Sequence, residues 1–539
     1  MQKTIVAPLS EACGARFNSL AGVPTQSIHA NRLIIASNRG PVEYMLSQSK
    51  MLKPRRGAGG LVTALIDAVK NMEVTWVAMA MTEGDRIALK EAQHSGGLLL
   101  SPLPGQKMRL RYVSISKAAY HKYYEKVSNQ VLWFLQHYMY NPNGDSVHMR
   151  WVQDAWVNGY CVANQAIADA VNAEIEREEG GVVVMLHDYH LYLAAAMIRQ
   201  RHPSAVIQQF MHIPWPDIRC WHFLPSNIAH AIFSGLVGND IIGFQTERDA
   251  QNFLEGARTV LDDAEVDFAK GIICWRGHCT QVHTYPVSIS VTGERHAVHS
   301  RAGKRATEKI LPLLHEKTIM RVDRIEPTKN IVRGFQAYMQ MLDEHPDLRG
   351  KVIFLAFLVP CRQGLPVYQR YHAEVLKIIE EINQKYGSDE WKPIHAFFGN
   401  DRLRALAAMQ FYDVLLVNPI IDGMNLVAKE GPAVNQRDGV LVLSRTVGAF
   451  QQLGKFCIPT SPTDTTETAQ ALYKALTLTP GERRLKGTLA RQVVEHQDLN
   501  AWLAQQIHDL NELLDRSLPP TTGIDEQDEP LEALVAAVG

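Results

Sequence analysis

The feature that most constrains the fold is an alternation of short apolar runs with amphipathic segments, which begins at residue 32. The runs are RLIIAS, GVVVMLH, AVIQQFMH, DIIGFQT, TIMRVD, KVIFLAFLV, VLLVNP and GVLVLS. Several are apolar on both faces, as strands covered on both sides of a sheet must be. The segments between them, such as NFLEGARTVL, have the spacing of helices with one apolar face. This pattern predicts an α/β protein in which helices cover parallel strands.

The length of the chain predicts more than one such sheet. At 539 residues, it exceeds what a single hydrophobic core supports, so two domains are expected. The apolar rhythm is lost near residues 287–305, in SISVTGERHAVHSRAGKRA, where the sequence becomes polar and basic. We interpret this stretch as the connection between two doubly wound domains that face each other. The acidic, proline-containing segment 518–539 is expected to be disordered.

Charge and cysteine content limit the classes of partner. The formal net charge is −1 and the basic run lacks interleaved aromatic residues, so neither nucleic acid nor a membrane surface is expected to bind. No apolar stretch is long enough to span a bilayer, and the N-terminus matches a secretory signal poorly. Seven scattered cysteines do not form a disulfide framework, which favours a reducing cytoplasm. CWRGHC, residues 274–279, lacks the second cysteine pair typical of a metal site.

Unusual residues collect where strands end and helices begin. SNRGPV follows the first predicted strand, RRGAGGL precedes an apparent helix, and HDYH, HIPWP and DGMNLVAKE each follow a strand. In open parallel sheets, ligands bind beyond the carboxyl ends of the strands. The sequence therefore predicts a ligand site that is built from these loops.

Two of these loops suit a nucleotide sugar. The glycines of RRGAGGL could let backbone N–H groups approach a phosphate, although their spacing fits neither a P-loop nor a dinucleotide motif. Asp422 and Glu430 are eight residues apart. On a helix that begins near Asn425, their carboxylates would be roughly 12 Å apart along its axis. A sugar and a ribose would fit the two ends, with a diphosphate at the helix N-terminus. Alone, the motif is also compatible with a capped helix and a solvated glutamate.

The chain lacks the usual means of holding a metal ion against a diphosphate. No Asp-x-Asp occurs in it, and His187 and His190, which would share a face only on a helix, follow a strand. Positive side chains must then neutralise a bound diphosphate. Arg324 and Lys329, five positions apart in RVDRIEPTKN, are the candidates, although such a pair by itself is more typical of a solvated edge.

A series of motifs then points to a known family. In order, SNR…GGL, YYEKVSNQVLW, HDYHL, HIPWP, GFQT, R-x4-K and DGMNLVAKE resemble the trehalose-6-phosphate synthases of glycosyltransferase family 20, over residues 32–514. The resemblance implies a GT-B architecture, in which two Rossmann-like doubly wound domains enclose the active site in the cleft between them. It implies an N-terminal extension over 1–30, an acceptor domain over 31–290, a nucleotide-sugar domain over 291–485, a closing helix over 486–514 that packs back on the N-terminal domain, and a disordered acidic tail over 515–539.

The same resemblance implies roles for individual residues. Those implied on the donor side are Arg324 and Lys329 for the diphosphate, Gly60, Asn425 and Leu426 for backbone contacts to phosphate, Asp422 for sugar hydroxyls, and Glu430 for the ribose. Those implied around the donor sugar are His212 and Asp188, and those around the acceptor and its phosphate are Arg39, Tyr124, Trp133 and Arg362. The expected catalytic set is Arg324, Lys329, Asp422, His212 and Asp188. Neither a metal ligand nor a cofactor is implied.

Three positions depart from the family pattern. Pro327 and Asn330 stand where the family usually has an aromatic residue and a glycine, and Gln452 stands where it has an acidic residue. The two cations are kept while the loop between them is changed. The departures therefore bear on the identity of the acceptor more than on phosphate binding.

The resemblance implies a retaining glucosyltransferase that moves glucose from a nucleotide sugar, expected to be UDP-glucose, to glucose 6-phosphate, giving α,α-trehalose 6-phosphate. No second carboxylate pair flanks the site, so a covalent intermediate is not favoured. The resemblance implies a front-face mechanism with internal return. Two alternatives stay open: a transferase with another phosphorylated acceptor, such as glycerol phosphate or a cyclitol, and a catalytically inactive regulatory paralogue. No divalent ion is expected to be obligatory, and a homo-oligomer is compatible with the sequence.

Overall fold

The structure, a computed structural model, describes residues 28–30, 32–47, 51–57, 65–66, 69, 72–103, 107–140, 149–178 and 180–517. Most of the predicted N-terminal extension, and all but the first three residues of the predicted tail, lie outside these ranges. None of the helices within them is both long and apolar enough to cross a membrane.

The N-terminal half of the described chain forms a ten-stranded sheet and a separate hairpin, β2–β3. In chain order, the strands are β1 (Arg32–Ser37), β2 (Val42–Leu46), β3 (Leu52–Arg56), β4 (Val74–Met79), β5 (Leu99–Leu100), β6 (Met108–Val113), β7 (Val182–His187), β8 (Val206–Phe210), β9 (Ile241–Phe244), β10 (Glu265–Asp267), β11 (Ile272–Trp275) and β12 (His278–Thr284). The sheet order is β10-β11-β12-β9-β8-β7-β1-β4-β6-β5. The strands from β12 to β6 are parallel, and antiparallel strands close both edges.

The C-terminal half forms a six-stranded sheet in which every pairing is parallel. Its strands are β13 (Lys317–Ile325), β14 (Val352–Pro360), β15 (Ile394–Phe398), β16 (Val414–Val417), β17 (Val440–Ser444) and β18 (Ile458–Thr460). The order is β15-β14-β13-β16-β17-β18. The first three strands, β13 to β15, therefore extend the sheet in one direction, and the next three, β16 to β18, extend it in the other. The N-terminal sheet does the same from β1 and β7, so each sheet has one topological switch point.

Helices connect the strands in both halves. In the N-terminal half, the α-helices are Glu83–Glu91, Lys117–Tyr120, Trp133–Gln136, Met149–Ala155, Val162–Ile175, Ala194–Arg201, Ile218–Trp221, Ser226–Leu236 and Glu247–Val260, with π-helical segments His121–Leu132 and Trp156–Cys161 and a 3-10 turn Ala92–Ser95. In the C-terminal half, they are Val291–His299, Arg301–Ile310, Ile331–Glu344, Pro366–Tyr386, Arg402–Met409, Val427–Val434, Phe450–Leu453, Thr465–Thr477, Pro480–His496 and Leu499–Ser517, with 3-10 turns Leu311–Leu313, Pro327–Lys329 and Pro346–Leu348.

The predicted fold class is confirmed by the burial of the central strands. Every residue of β4, β7 and β8 is buried, as are all residues of β16 and β17. Strands that are buried on both faces need helices on each side of the sheet, and this requirement produces the apolar runs seen in the sequence. All eight of those runs coincide with observed strands.

The C-terminal segment folds back on the N-terminal sheet. The last described helix, Leu499–Ser517, receives a 2.9 Å hydrogen bond from Gln208 of β8, which donates through Nε2 to Gln506 Oε1. Tyr285 donates to Asp509 Oδ2 at 2.7 Å. The segment predicted as one closing helix, 486–514, holds parts of two helices, because one helix ends at His496 and the next begins at Leu499.

One disulfide lies at the edge of the larger sheet. Cys274 and Cys279 stand opposite each other on β11 and β12 and are bonded. CWRGHC is therefore a hairpin with a covalent cross-link, which adds one local bond to a chain for which we predicted no disulfide framework. The remaining cysteines of the described ranges are free thiols.

Candidate active site

The two switch points meet in one cleft. The loop after β7 holds Asp188, the end of β13 and the loop after it hold residues 324–329, and the loop after β16 holds Asp422. The halves touch here, because a Cβ added at Gly423 would lie 2.5 Å from the backbone oxygen of His212. This close approach requires glycine at position 423 and brings both sets of loops to the same space.

The loop after β13 is held by a buried arginine beneath it. Arg321, fully buried, donates from Nη2 to Asp323 Oδ2 at 2.8 Å and to the Lys329 backbone oxygen at 3.0 Å. The 3-10 turn Pro327–Lys329 follows directly from this anchor. As a result, the side chain of Arg324 is 45% exposed toward the cleft, whereas that of Lys329 is only 11% exposed.

Lys329 forms an ion pair with Asp422 across the switch point. Its Nζ contacts Asp422 Oδ2, which also accepts a 3.0 Å hydrogen bond from Asn425 Nδ2. Burial alone would raise the pKa of Asp422, but the neighbouring Lys329 ammonium outweighs this effect and holds the pKa below its ordinary value. In this state Asp422 is ionised, and its charge is balanced by the lysine that we predicted to bind phosphate.

The helix of the DGMNLVAKE motif spans Val427–Val434, with Leu426 as its N-cap residue. It begins two residues later than the predicted start near Asn425. Glu430 lies in its first turn, with 15% of the side chain exposed and Oε1 3.4 Å from Arg402 Nη2. The backbone at 425–426 thus lies between the two carboxylates, as the spacing in the sequence indicates.

Trp133 is the point at which the N-terminal half meets the arginines of the C-terminal half. The guanidinium carbon of Arg362 lies 4.2 Å above the Trp133 ring, and that of Arg324 lies 5.4 Å from the ring centroid. His137 stacks on the same indole at 4.1 Å. His137 and Arg362 must use opposite faces, since both could not fit on one face at these distances. Trp133 therefore sets the position of two cations as well as lining the cleft.

Arg39 and Tyr124 form the outer part of the site. Arg39 follows β1, is beside Tyr124, and has Nη1 3.5 Å from Glu43 Oε1. Tyr124 stacks between Tyr120, at 5.5 Å, and His190, at 5.8 Å. The Arg39 side chain remains 41% exposed. A guanidinium and a phenol are therefore available where the resemblance implies an acceptor.

Asp188 and two histidines lie at the end of β7 and β8. Asp188 has a positive φ of 73° and accepts a 3.3 Å hydrogen bond from the backbone N–H of His212. His212 Nε2 lies 3.3 Å from His187 Nδ1. Burial raises the pKa of Asp188 to about 7, against the opposing effect of backbone N–H groups and the cleft arginines. Burial lowers the pKa of His187 to about 3 and that of His212 well below its ordinary value. Both histidines are therefore neutral at neutral pH.

The raised pKa of Asp188 predicts a cost to stability. A rise from the ordinary 3.8 to about 7 corresponds to about 4 kcal/mol. Because the folded state holds this proton more tightly than the unfolded state, stability should fall as pH rises from about 4 to 7. Asp188→Asn should therefore unfold at a higher temperature than the parent at pH 8, and at a similar temperature near pH 4.

A carboxylate with the opposite shift provides the control. Hydrogen bonds from Arg219 lower the pKa of Asp217, so Asp217→Asn should give no such gain at pH 8. Differential scanning fluorimetry of the three proteins at both pH values measures the effect. If Asp188→Asn is less stable than the parent at pH 8, the burial argument is wrong.

The three departures from the family pattern have structural explanations. Asn330 has a positive φ of 55°, a conformation that asparagine tolerates better than most residues, and its Nδ2 donates to Asn418 and Pro462 backbone oxygens. Pro327 begins the 3-10 turn, where a fixed φ suits the first position. Gln452 contacts Gln497 at the end of the helix Pro480–His496. At positions 330 and 452 the contacts stabilise the fold.

The structure brings most of the predicted site residues together. Those around the cleft are Arg324, Lys329, Asp422, Asn425, Leu426, Asp188, His212, Trp133 and Arg362, with Arg39 and Tyr124 beside His190 in the N-terminal half and Glu430 in the C-terminal half. Gly60 lies outside the described residues. Within those residues, no group of three His, Cys, Asp or Glu side chains could hold a metal ion.

Three residues of the site were missed from sequence. Glu326 pairs with both Arg324 and Arg362, and Tyr368 accepts a 2.7 Å hydrogen bond from Arg362 Nη1. His137 stacks on Trp133 four positions earlier in the chain. A signal existed for Glu326, which lies between the two predicted cations, and for His137, which shares a helical face with Trp133. For Tyr368 the sequence carries none that we can identify.

Comparison with known sequences identifies the family. The model for glycosyltransferase family 20 matches residues 31–512. The chain is 30% identical over 497 residues to the trehalose-6-phosphate synthase of Salmonella choleraesuis, covering 90% of this chain and 96% of that one. It is 30% identical over 494 residues to the bifunctional trehalose-6-phosphate synthase/phosphatase of Thermoproteus tenax, covering 89% of this chain. It spans 63% of the length of the latter relative.

Comparison with solved structures agrees. The E. coli trehalose-6-phosphate structure with bound UDP-2-fluoro glucose superposes with a TM-score of 0.75 at 26% identity, covering 89% of this chain and 99% of that one. Both sheets and the cleft between them fall within the region matched by the family model. From the family match and the two facing doubly wound sheets, we conclude that the chain has the GT-B architecture and belongs to glycosyltransferase family 20.

Proposed function

We propose that the protein is a UDP-forming α,α-trehalose-phosphate synthase, which transfers glucose from UDP-glucose to glucose 6-phosphate with retention of configuration. The observation that carries the proposal is the placement of two sets of positive side chains in one cleft, the pair Arg324 and Lys329 and the single Arg362. Arg324 and Lys329 lie on one side, Arg362 lies beside them over Trp133, and Asp422 lies opposite Lys329. Two anionic substrates that must react with each other require two such groups close together.

On the donor side, different cleft residues would contact different parts of UDP-glucose. Arg324 has exposed guanidinium surface for the diphosphate. Lys329 would pass from Asp422 to a phosphate oxygen, and Asp422 would then accept hydrogen bonds from sugar hydroxyls. Glu430, in the first turn of the helix Val427–Val434, would bind the ribose. The substrate-free ion pair thus supplies one group to the phosphate and one to the sugar.

The proposed reaction is front-face displacement. The bond between the anomeric carbon and the diphosphate oxygen breaks, the acceptor hydroxyl oxygen bonds to the same face, and its proton passes to the leaving phosphate. Negative charge develops on UDP as this bond breaks. Arg324 and Lys329 would stabilise that charge from a loop whose backbone Arg321 holds in place. The protein otherwise contributes by holding both substrates in the geometry for reaction.

On the acceptor side, Arg362 and Arg39 would bind the phosphate of glucose 6-phosphate. The planar guanidinium pairs bidentately with phosphate oxygens, which suits both residues to this role. Tyr124 and Trp133 would line the sugar. Departures at Asn330 and Gln452 are explained by contacts within the fold, which removes the main reason to expect a different acceptor.

The wider proposal is a cytoplasmic enzyme whose partners are small sugar phosphates. The formal net charge of −1 supports the exclusion of nucleic acid and membrane surfaces. An inactive regulatory paralogue is disfavoured, because Arg324, Lys329, Asp422 and Glu430 are all present and lie around one cleft.

Release of UDP tests the proposal. UDP should appear when UDP-glucose and glucose 6-phosphate are supplied together, and neither alone should yield more than a trace. GDP-glucose and ADP-glucose, and glucose and glycerol 3-phosphate as acceptors, provide the comparison. Tight binding of UDP-glucose with no UDP release under any pairing would instead show a binding protein.

The proposed absence of an obligatory metal gives a separate prediction. Because side-chain cations would neutralise the diphosphate, we expect turnover to persist in excess EDTA, with at most a modest gain when magnesium is added. Initial rates before and after EDTA treatment measure this directly. Complete loss in EDTA, with recovery on addition of magnesium or manganese, would contradict it.

A further inference from the structure

Glu326 lies between the two cationic groups of the cleft. Its side chain is fully buried, with Oε1 2.9 Å from Arg324 Nη2 and Oε2 2.8 Å from Arg362 Nη1. One carboxylate thus contacts the arginine assigned to the donor and the arginine assigned to the acceptor. Arg362 Nη1 donates to Glu326 Oε2 and to Tyr368, whereas Arg324 contacts Oε1 as an ion pair. Both guanidinium groups therefore keep N–H groups that Glu326 does not use.

The position of Glu326 is fixed by the loop itself. Its backbone N–H donates to Arg324 O at 2.9 Å, and its backbone oxygen accepts from Lys329 N at 3.0 Å. Arg362 reaches it from the loop after β14, the neighbouring strand, in a left-handed conformation with φ 44°. A strained residue of this kind persists only where the surrounding contacts hold it. The backbone of the loop therefore holds the carboxylate at a defined place between the two arginines.

Charge supports the same conclusion. Burial alone would raise the pKa of Glu326, but Arg324 and Arg362, with Lys329, outweigh burial and keep the pKa below its ordinary value. Glu326 is therefore ionised. Two guanidinium groups over one indole repel each other, and an anion between them is what allows both to stay.

We propose that Glu326 is a positioning residue that couples the two phosphate sites, holding Arg324 for the donor diphosphate and Arg362 for the acceptor phosphate. The proposal rests on the proposed function for the identity of the two ligands. It adds a residue that need not touch either substrate and yet affects the binding of both. A residue acting on one arginine alone would affect the binding of one ligand only.

Glu326→Gln removes the charge at nearly constant volume. The amide has one oxygen to accept and an NH2 group that would face a guanidinium, so it cannot hold both arginines. Isothermal titration calorimetry should show that UDP and glucose 6-phosphate, each added alone, bind at least tenfold more weakly than to the parent. Neither measurement depends on turnover, so a parent that binds both ligands without reacting would refute the proposed function and leave this test intact.

Glu174→Gln is the matched control. Glu174 is also a buried glutamate that pairs with two arginines, Arg111 and Arg177, but it does so on the helix Val162–Ile175. We expect it to lower the melting temperature as much as Glu326→Gln does, while affinity for UDP and glucose 6-phosphate stays within twofold of the parent. Equal weakening of ligand binding in both variants would reduce the role of Glu326 to fold stability and overturn the proposal.

Glu326→Asp keeps the charge but has a side chain that is shorter by one methylene group. This variant replaces Glu326→Gln in the test if the glutamine variant does not fold. An aspartate on the same backbone cannot span both arginines, so at least one ligand should bind fivefold or more weakly. Unchanged affinity for both ligands in a folded Glu326→Gln or Glu326→Asp variant would overturn the proposal. So would a Glu326→Gln variant in which only one of the two ligands is weakened, because bridging requires both.

Discussion

Lys329→Ala is expected to lower kcat/KM for the nucleotide sugar by roughly tenfold to several hundredfold, since one charge-assisted hydrogen bond to the diphosphate is worth about 1.5–3 kcal/mol and more as charge develops on UDP. The structure adds a second consequence. Lys329 balances the buried Asp422, so its removal leaves that carboxylate without its nearest positive charge. We therefore expect the melting temperature to fall as well. Initial-rate kinetics, corrected for the folded fraction, measure the catalytic part.

Lys317→Ala provides a control from β13, the strand that precedes the Lys329 turn. Lys317 is at the start of β13, 3.9 Å from the buried Asp413, and so also pairs with a buried aspartate. This variant should keep the kcat/KM of the parent even where it loses stability. If folded Lys329→Ala turns over as well as Lys317→Ala, then Lys329 is only a structural partner of Asp422.

Arg362→Ala should separate the two substrates. The KM for glucose 6-phosphate is expected to rise by about tenfold to a hundredfold, which corresponds to the loss of one or two charge-assisted hydrogen bonds to phosphate. The KM for UDP-glucose should change much less, because Arg324 retains its contacts with Glu326 and Trp133. Free glucose should be a poor acceptor for the parent. The rate with free glucose should be only slightly lower in the variant.

Arg404→Ala controls for the loss of an arginine stacked on a ring. Arg404 lies 4.1 Å above Phe397 in the same half of the chain. Its replacement should leave both KM values near those of the parent. Equal use of glucose and glucose 6-phosphate by the parent would end the assignment of an acceptor phosphate to Arg362.

Much of the fold could be predicted because buried parallel strands have a strong local signature. All eight apolar runs became strands, and the loops after β7, β13 and β16 gave most of the site. Other strands were missed. β5 has two residues and β10 has three, and β2 and β3 form a largely exposed hairpin. β4 was missed as well, although all six of its residues are buried inside the parallel part of the sheet.

The contacts within the site could not be predicted for a different reason. Lys329 and Asp422 are 93 positions apart, and they meet only because β16 is next to β13 in the sheet. Glu326 reaches Arg362, 36 positions away, because β14 lies on the other side of β13. Sequence spacing indicates which residues stand at strand ends, but strand order decides which of them are neighbours. Both of these contacts depend on that order.

The most direct test of the central claim is the structure of the product formed from UDP-glucose and glucose 6-phosphate. We expect NMR of the purified product to show a 1,1 linkage with both anomeric centres in the α configuration and the phosphate still at carbon 6. That result requires an acceptor phosphate site and retention at the transferred glucose. A β configuration at the transferred glucose, or a product that carries no phosphate, would contradict the account.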